Sequence, residues 1–170
     1  MKLFKLILSA GILFLCGFAL RVHAQVTLPE VKIVAVSYKY LNAVDYTGQP
    51  QPVRLLQEKA ATFDVKNSEN YDDDYAGYFV SFYIPEGKIL AAYDRNGKLL
   101  RTAEKYNNVK MPVAVSEAIA KRFPQWTVSE NIYIVNYYNE RNKVNKKYKV
   151  LLENGDKRIK IEASENGDLN

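Results

Sequence analysis

YFVSFYIPEGKILAAYDRNG, residues 78–97, is answered seventy positions later by YKVLLENGDKRIKIEASENG, residues 148–167. Without a gap this pairs Tyr78 with Tyr148, Val80 with Val150, Phe82 with Leu152, Ile89 with Ile159, Asn96 with Asn166 and Gly97 with Gly167. Upstream the echo runs at an offset of sixty. Pro52, Val53, Ala60 and Phe63 return as Pro112, Val113, Ala120 and Phe123, so the second copy carries ten extra residues between its Phe and its Tyr. Internal repetition of this kind fixes architecture before anything else is known.

Each copy is predicted to be a helix followed by strands. Val53, Leu56, Ala60 and Phe63 fall at helical spacing behind Pro52, whose missing N–H costs nothing at a helix start. Val115, Ala118, Ile119 and Phe123 do the same behind Pro112, and Pro124 stops that helix. Both are short and one-sided, so each must lie on a sheet. Alternation predicts strands over 78–84, 88–93, 98–103, 128–138, 148–152 and 158–163, with turns at Asn96-Gly97, around 139–145 and at Asn154-Gly155. Tight turns between successive strands mean antiparallel pairing, and helices on one face give a two-layer α+β domain. Residues 31–40 also alternate and predict a strand at a sheet edge, and 42–52 read as a loop.

Ahead of all this, Lys2 and Lys5 precede an apolar run over 6–20, and Val22-His23-Ala24 forms a cleavage site before Gln25. The run is shorter than the ~20 residues of a membrane-spanning helix. The expectation is a cleaved signal peptide over 1–24, hence a periplasmic or secreted protein with no stable membrane insertion after cleavage. A lipoprotein anchored at Cys16 is the lesser alternative, because Cys16 sits within the apolar run behind the bulky Leu15. Cleavage removes the only Cys and the only His, Cys16 and His23, together with three of the 24 basic residues. What is left has 21 basic against 19 acidic residues, a balance that offers nucleic acid no footprint. An exported chain without cysteine is held together by packing alone.

The quoted residues resemble a known family. Residues 88–102 (KILAAYDRNGKLLRT), Met111-Pro112-Val113 opening a helix that ends at Phe123-Pro124, Tyr148-Lys149-Val150 with Asn154-Gly155, and the terminal Asn166-Gly167-Asp168-Leu169 look like the PepSY-like, β-lactamase-inhibitor-protein-like (BLIP-like) domains of exported bacterial proteins. The resemblance implies a helix packed on an antiparallel sheet, sometimes in tandem, with the open sheet face as a binding surface and a binding or inhibitory role in place of catalysis. On this reading the chain divides into the signal peptide, an N-terminal strand and linker over 25–51, and a PepSY-like/BLIP-like domain over 52–170 with copies 52–103 and 112–170. No inhibitory contact motif carries over residue by residue.

The residues themselves point away from catalysis. Without His or Cys the mature chain has no Ser-His or Cys-His nucleophile pair and no zinc site of the usual kind, and no cofactor or metal is expected. An acidic stretch, Glu69 with Asp72, Asp73 and Asp74, fits a calcium loop poorly, since Ala76 and Tyr83 stand where ligands should be. Arg141, Lys143, Lys146, Lys147 and Lys149 form a basic cluster suited to an acidic partner, or to a soluble hairpin tip. Aromatics are the stronger signal. All 13 tyrosines lie beyond residue 24. If Tyr78, Val80 and Phe82 face the helices, Phe79 and Tyr83 face away; Tyr133, Val135 and Tyr137 likewise share one side of their strand. A sheet face left open to water should be polar, so an aromatic one either marks a binding site or is ordinary core covered by the N-terminal strand, the acidic loop or the other copy. The expected function is a non-catalytic module that recognises a protein or peptide through Phe79, Tyr83, Tyr133 and Tyr137 with Lys149 at the rim, and inhibits an exported hydrolase in its sharper form. The alternatives are a structural or envelope protein that self-associates as a homodimer through that face, and a small-ligand or Ca²⁺ carrier.

Overall fold

The computed structural model describes residues 36–170. The predicted signal peptide, its cleavage site and residues 31–35 of the predicted first strand lie outside the described residues. The described chain opens with helix α1 (Tyr38–Ala43) and a 3-10 turn (Tyr46–Gly48), followed by helix α2 (Gln51–Ala61). Three strands follow, β1 (Gly77–Ile84), β2 (Gly87–Asp94) and β3 (Leu99–Asn107). Helix α3 (Val113–Arg122) then leads into β4 (Thr127–Tyr138), β5 (Lys143–Asn154) and β6 (Lys157–Ala163). All six strands form one antiparallel sheet in the order β1 to β6, each beside its sequence neighbour. This is the α+β architecture expected from the turn spacing.

The first strand is corrected. Residues 38–43 are helical, because the side chains that must be buried are Tyr40 and Val44, four apart, while Tyr38 is 67% exposed. Strand alternation would have put Tyr38 and Tyr40 on the same side. The loop expected over 42–52 is likewise the end of α1, the 3-10 turn and the start of α2.

One core lies between the helices and the inner sheet face. Val53, Leu56 and Ala60 from α2, and Val115 and Ile119 from α3, bury themselves with Ile89, Ala91, Tyr106, Val135, Val150 and Leu152. The Tyr93 hydroxyl donates to the Ala60 carbonyl at 2.6 Å, tying α2 to β2. At its centre sits an ionisable group, Glu104 on β3, 2% exposed. Its carboxylate accepts from Tyr40 (2.7 Å), Gln57 Nε2 (3.0 Å), Thr102 (2.7 Å) and Tyr106 (2.8 Å). Burial raises its pKa, and these hydrogen bonds oppose the rise.

The two quoted stretches fold alike at their turns. Asp94 N donates to Lys98 O at 3.0 Å and Gly97 N to Asp94 O at 3.0 Å; Ser164 N donates to Asp168 O at 2.9 Å and Gly167 N to Ser164 O at 3.1 Å. Gly97 has φ +82° and Gly167 +89°, a region other residues enter only with strain. Gly167 is also hemmed in, since a Cβ there would stand 2.6 Å from the Ala114 carbonyl of α3. Gly167→Ala is expected to cost about 1–3 kcal/mol, read as a lower midpoint in urea unfolding. An unchanged midpoint would mean that α3 does not rest on this turn.

Candidate functional site

The sheet has a second face, and no described helix covers it. Alternation places Phe79, Ser81 and Tyr83 of β1 there, and pairing carries the face across the sheet in rows. One row is Phe79, Ala92, Arg101, Tyr138 and Lys143. The next is Ser81, Leu90, Ala103, Asn136 and Asn145, and the third is Tyr83, Lys88, Lys105, Ile134 and Lys147. A fourth runs through Asn107, Ile132, Lys149 and Glu162. Large apolar side chains thus stand in water beside cations. Phe79 and Tyr83 are each 66% exposed, Leu90 45% and Tyr138 41%.

Three grooves mark this face. The largest, ≈ 730 Å³, is lined by Tyr75, Phe79, Arg101, Tyr138 and Arg141 among others, and the Arg101 guanidinium stands 5.5 Å over the Phe79 ring. A second of ≈ 430 Å³ lies between Tyr83, Lys88, Leu90, Lys105 and Ile134. The third, ≈ 310 Å³, is lined by Ile132, Lys149, Leu151, Lys160 and Glu162. A hydrogen bond from Lys147 foremost, with a second from Lys149, holds the Glu162 carboxyl below its ordinary value. The only acid in the four rows is therefore already shared by two lysines, at 3.0 and 3.4 Å. Lys88, Arg101, Lys105 and Lys143 have no acidic side chain among their row neighbours, so the face is net positive.

Of the residues expected from the sequence, Phe79 and Tyr83 stand together on this face, on one strand. Lys149 shares the face but lies four strands away, about 19 Å at ordinary strand spacing. Tyr133 and Tyr137 are corrected: they are 0% and 1% exposed, on the helix side. Tyr133 stacks on Tyr148 with centroids 4.5 Å apart and donates to Glu165 at 2.7 Å; Tyr137 packs against Tyr40 at 5.1 Å. Tyr133, Val135 and Tyr137 do share one side of β4, and that side faces the helices. The neighbouring strand held the signal: Lys147 and Lys149 must reach water, so Tyr148 between them points inward, and Tyr133 is directly opposite Tyr148. Leu90, Arg101 and Tyr138 were missed for the same reason.

The acidic stretch turns its groups on itself. Asp72 Oδ1 accepts from the Asp74 amide at 3.0 Å, and Asp73 accepts from Tyr71 at 2.7 Å. Among the described residues no three His, Cys, Asp or Glu side chains gather as metal ligands would, and no helix is long and apolar enough to cross a membrane. In the basic cluster, Lys146 points inward to Glu165 at 3.1 Å, while Lys147 and Lys149 belong to the open face.

Fold and face together define an α+β two-layer domain whose aromatic and basic sheet surface is left open among the described residues. Among solved structures, the chain is similar to a BLIP-like protein from Bacteroides fragilis, with 22% identity over 74% of this chain and 88% of that one, at a TM-score of 0.34. No family model matches the sequence, and no curated protein does. The architecture is therefore read from this chain's own strands and helices.

Proposed function

We propose that this is an exported, non-catalytic binding module of two tandem PepSY-like units, which recognises an acidic protein surface through its open sheet face. The observation that carries the reading is that face itself. A surface meant only for water should be polar, yet Phe79, Tyr83, Leu90 and Tyr138 lie exposed within adjacent rows. Aromatic anchors ringed by cations are what an interface with a complementary negative partner uses: the rings supply buried area, the charges steering and register. Inhibition of an exported hydrolase is the sharper form of this role. Export rests on the signal sequence over 1–24, and the tandem arrangement on the matched turns at Gly97 and Gly167.

The test is capture from periplasmic and culture-supernatant extract by the native protein and by a Phe79→Ala, Tyr83→Ala double variant. Both side chains are exposed, so the variant is expected to keep its fold, which circular dichroism checks. The native protein should retain a partner that the variant loses, and that partner should be released as salt is raised. Equal retention by the folded variant would refute the role of this face.

A further inference from the structure

The two ends of the sheet differ. On β6 the outer edge is shielded: Ala163 bridges to Leu169, Glu162 and Asn170 exchange backbone hydrogen bonds, and Lys157, Arg158 and Lys160 stud the rest. Lysines of this kind are how natural edges discourage pairing. Strand β1, GYFVSFYI, carries no charge at all over eight residues. Among the described residues its only strand partner is β2. Its inner side chains, Tyr78, Val80, Phe82 and Ile84, are left half-buried.

The strand seventy positions later shows what that edge lacks. Strand β5 matches β1, and β6 matches β2, through the pairs Tyr78 with Tyr148 and Ile89 with Ile159. Strand β5 has β6 on one side and β4 on the other. The ten extra residues of the second copy fall within the segment that contains β4; the first copy has instead the acidic loop before Gly77. The outer side of β1 therefore corresponds to a position that a strand fills in the second half of the same sheet.

We propose that β1 of a second copy fills it, antiparallel, across a two-fold axis at Ser81. Within one continuous sheet, facing residues must point to the same side. A two-fold at Ser81 meets this condition over the strand from Tyr78 to Ile84. On the open face it sets Phe79 against Tyr83 of the second copy, and the reverse. On the helix side it sets Val80 against Phe82 and Tyr78 against Ile84. Every facing pair is then apolar or aromatic except Ser81 with itself, and no like charges meet. Such an isologous contact closes at two copies. It would join the two open faces into one surface of twice the width.

Sedimentation velocity over a concentration series tests this with the native protein and Ser81→Lys. The serine is exposed, so lysine leaves the monomer intact but confronts its own copy at the axis. The native protein is expected to sediment as a dimer and the folded variant as a monomer. A second variant, Ser81→Cys with Cys16 replaced by Ser, should form a disulfide-linked dimer on mild oxidation, since facing Cα atoms about 4.5–5.5 Å apart lie within disulfide reach. A native monomer throughout the series, a Ser81→Lys dimer, or a cysteine variant that stays uncrosslinked while the native protein dimerises would each overturn the proposal.

Discussion

Glu104→Ala is expected to lose at least about 3 kcal/mol of folding stability, measured by urea unfolding. The substitution strips the shared acceptor from Tyr40, Gln57, Thr102 and Tyr106 at once. A buried donor without a partner costs about 1–3 kcal/mol, and rotation lets some of the hydroxyls serve each other, so the loss is less than four such terms. A loss under about 1 kcal/mol would show that the carboxylate is not what holds these groups. Glu104→Gln, which keeps the shape, separates charge from hydrogen bonding through pH. Burial lifts the folded carboxyl above its ordinary value of 4.5. Between 4.5 and the raised value the folded chain therefore binds the proton more tightly than the unfolded one. Its contribution is fully present below 4.5 and is lost as pH rises through the folded value. The stability of the native protein relative to Glu104→Gln should accordingly fall across that window as pH rises. A difference that stays flat, or grows with pH, would contradict the raised value.

Tyr133→Ala should cost about 3–5 kcal/mol, as large-to-small changes at buried aromatics do, whereas Phe79→Ala should change stability by no more than about 0.5 kcal/mol. Tyr133 is fully buried between Tyr106 and Tyr148 and bonded to Glu165; Phe79 lies in water on the other side of the sheet. Measured side by side, the pair tests which face is core. Similar losses for both would mean that something covers Phe79. The contrast also bears on binding experiments: a variant at Tyr133 or Tyr137 would lose a partner by unfolding.

Much of the sheet was legible because its signals are local. Proline at the helix starts, asparagine-glycine at the turns and the alternation along β1 depend only on neighbours in the chain. The side of a strand that meets the core does not. For β4 it is decided by β5, and Tyr133 and Tyr137 were placed outward because tyrosine is equally at home buried, with its hydroxyl bonded, or exposed. Helix α1 was misread for a related reason. Tyr38 and Tyr40 alternate like a strand, and only the acceptor at Glu104, 64 residues away in sequence, explains why Tyr40 must turn inward while Tyr38 does not. The open face was half legible: Phe79 and Tyr83 follow from alternation, but its cations come from β2, β3 and β5, strands whose alignment no local pattern reveals.

The Glu104 carboxyl behind that face acts as an address. Apolar burial is non-directional, so by itself it does not fix which turn of α1 or α2 meets which strand. The observed docking brings Tyr40 from the first helix and Gln57 from the second to the two oxygens of one carboxyl on β3. A helix rotated or shifted by one turn would leave the buried carboxyl without donors from that helix, and a buried polar group without partners is costly. The carboxyl, supplied with four donors in the native state, penalises every misdocked state that loses them, so it sorts arrangements that hydrophobic burial alone would leave mixed.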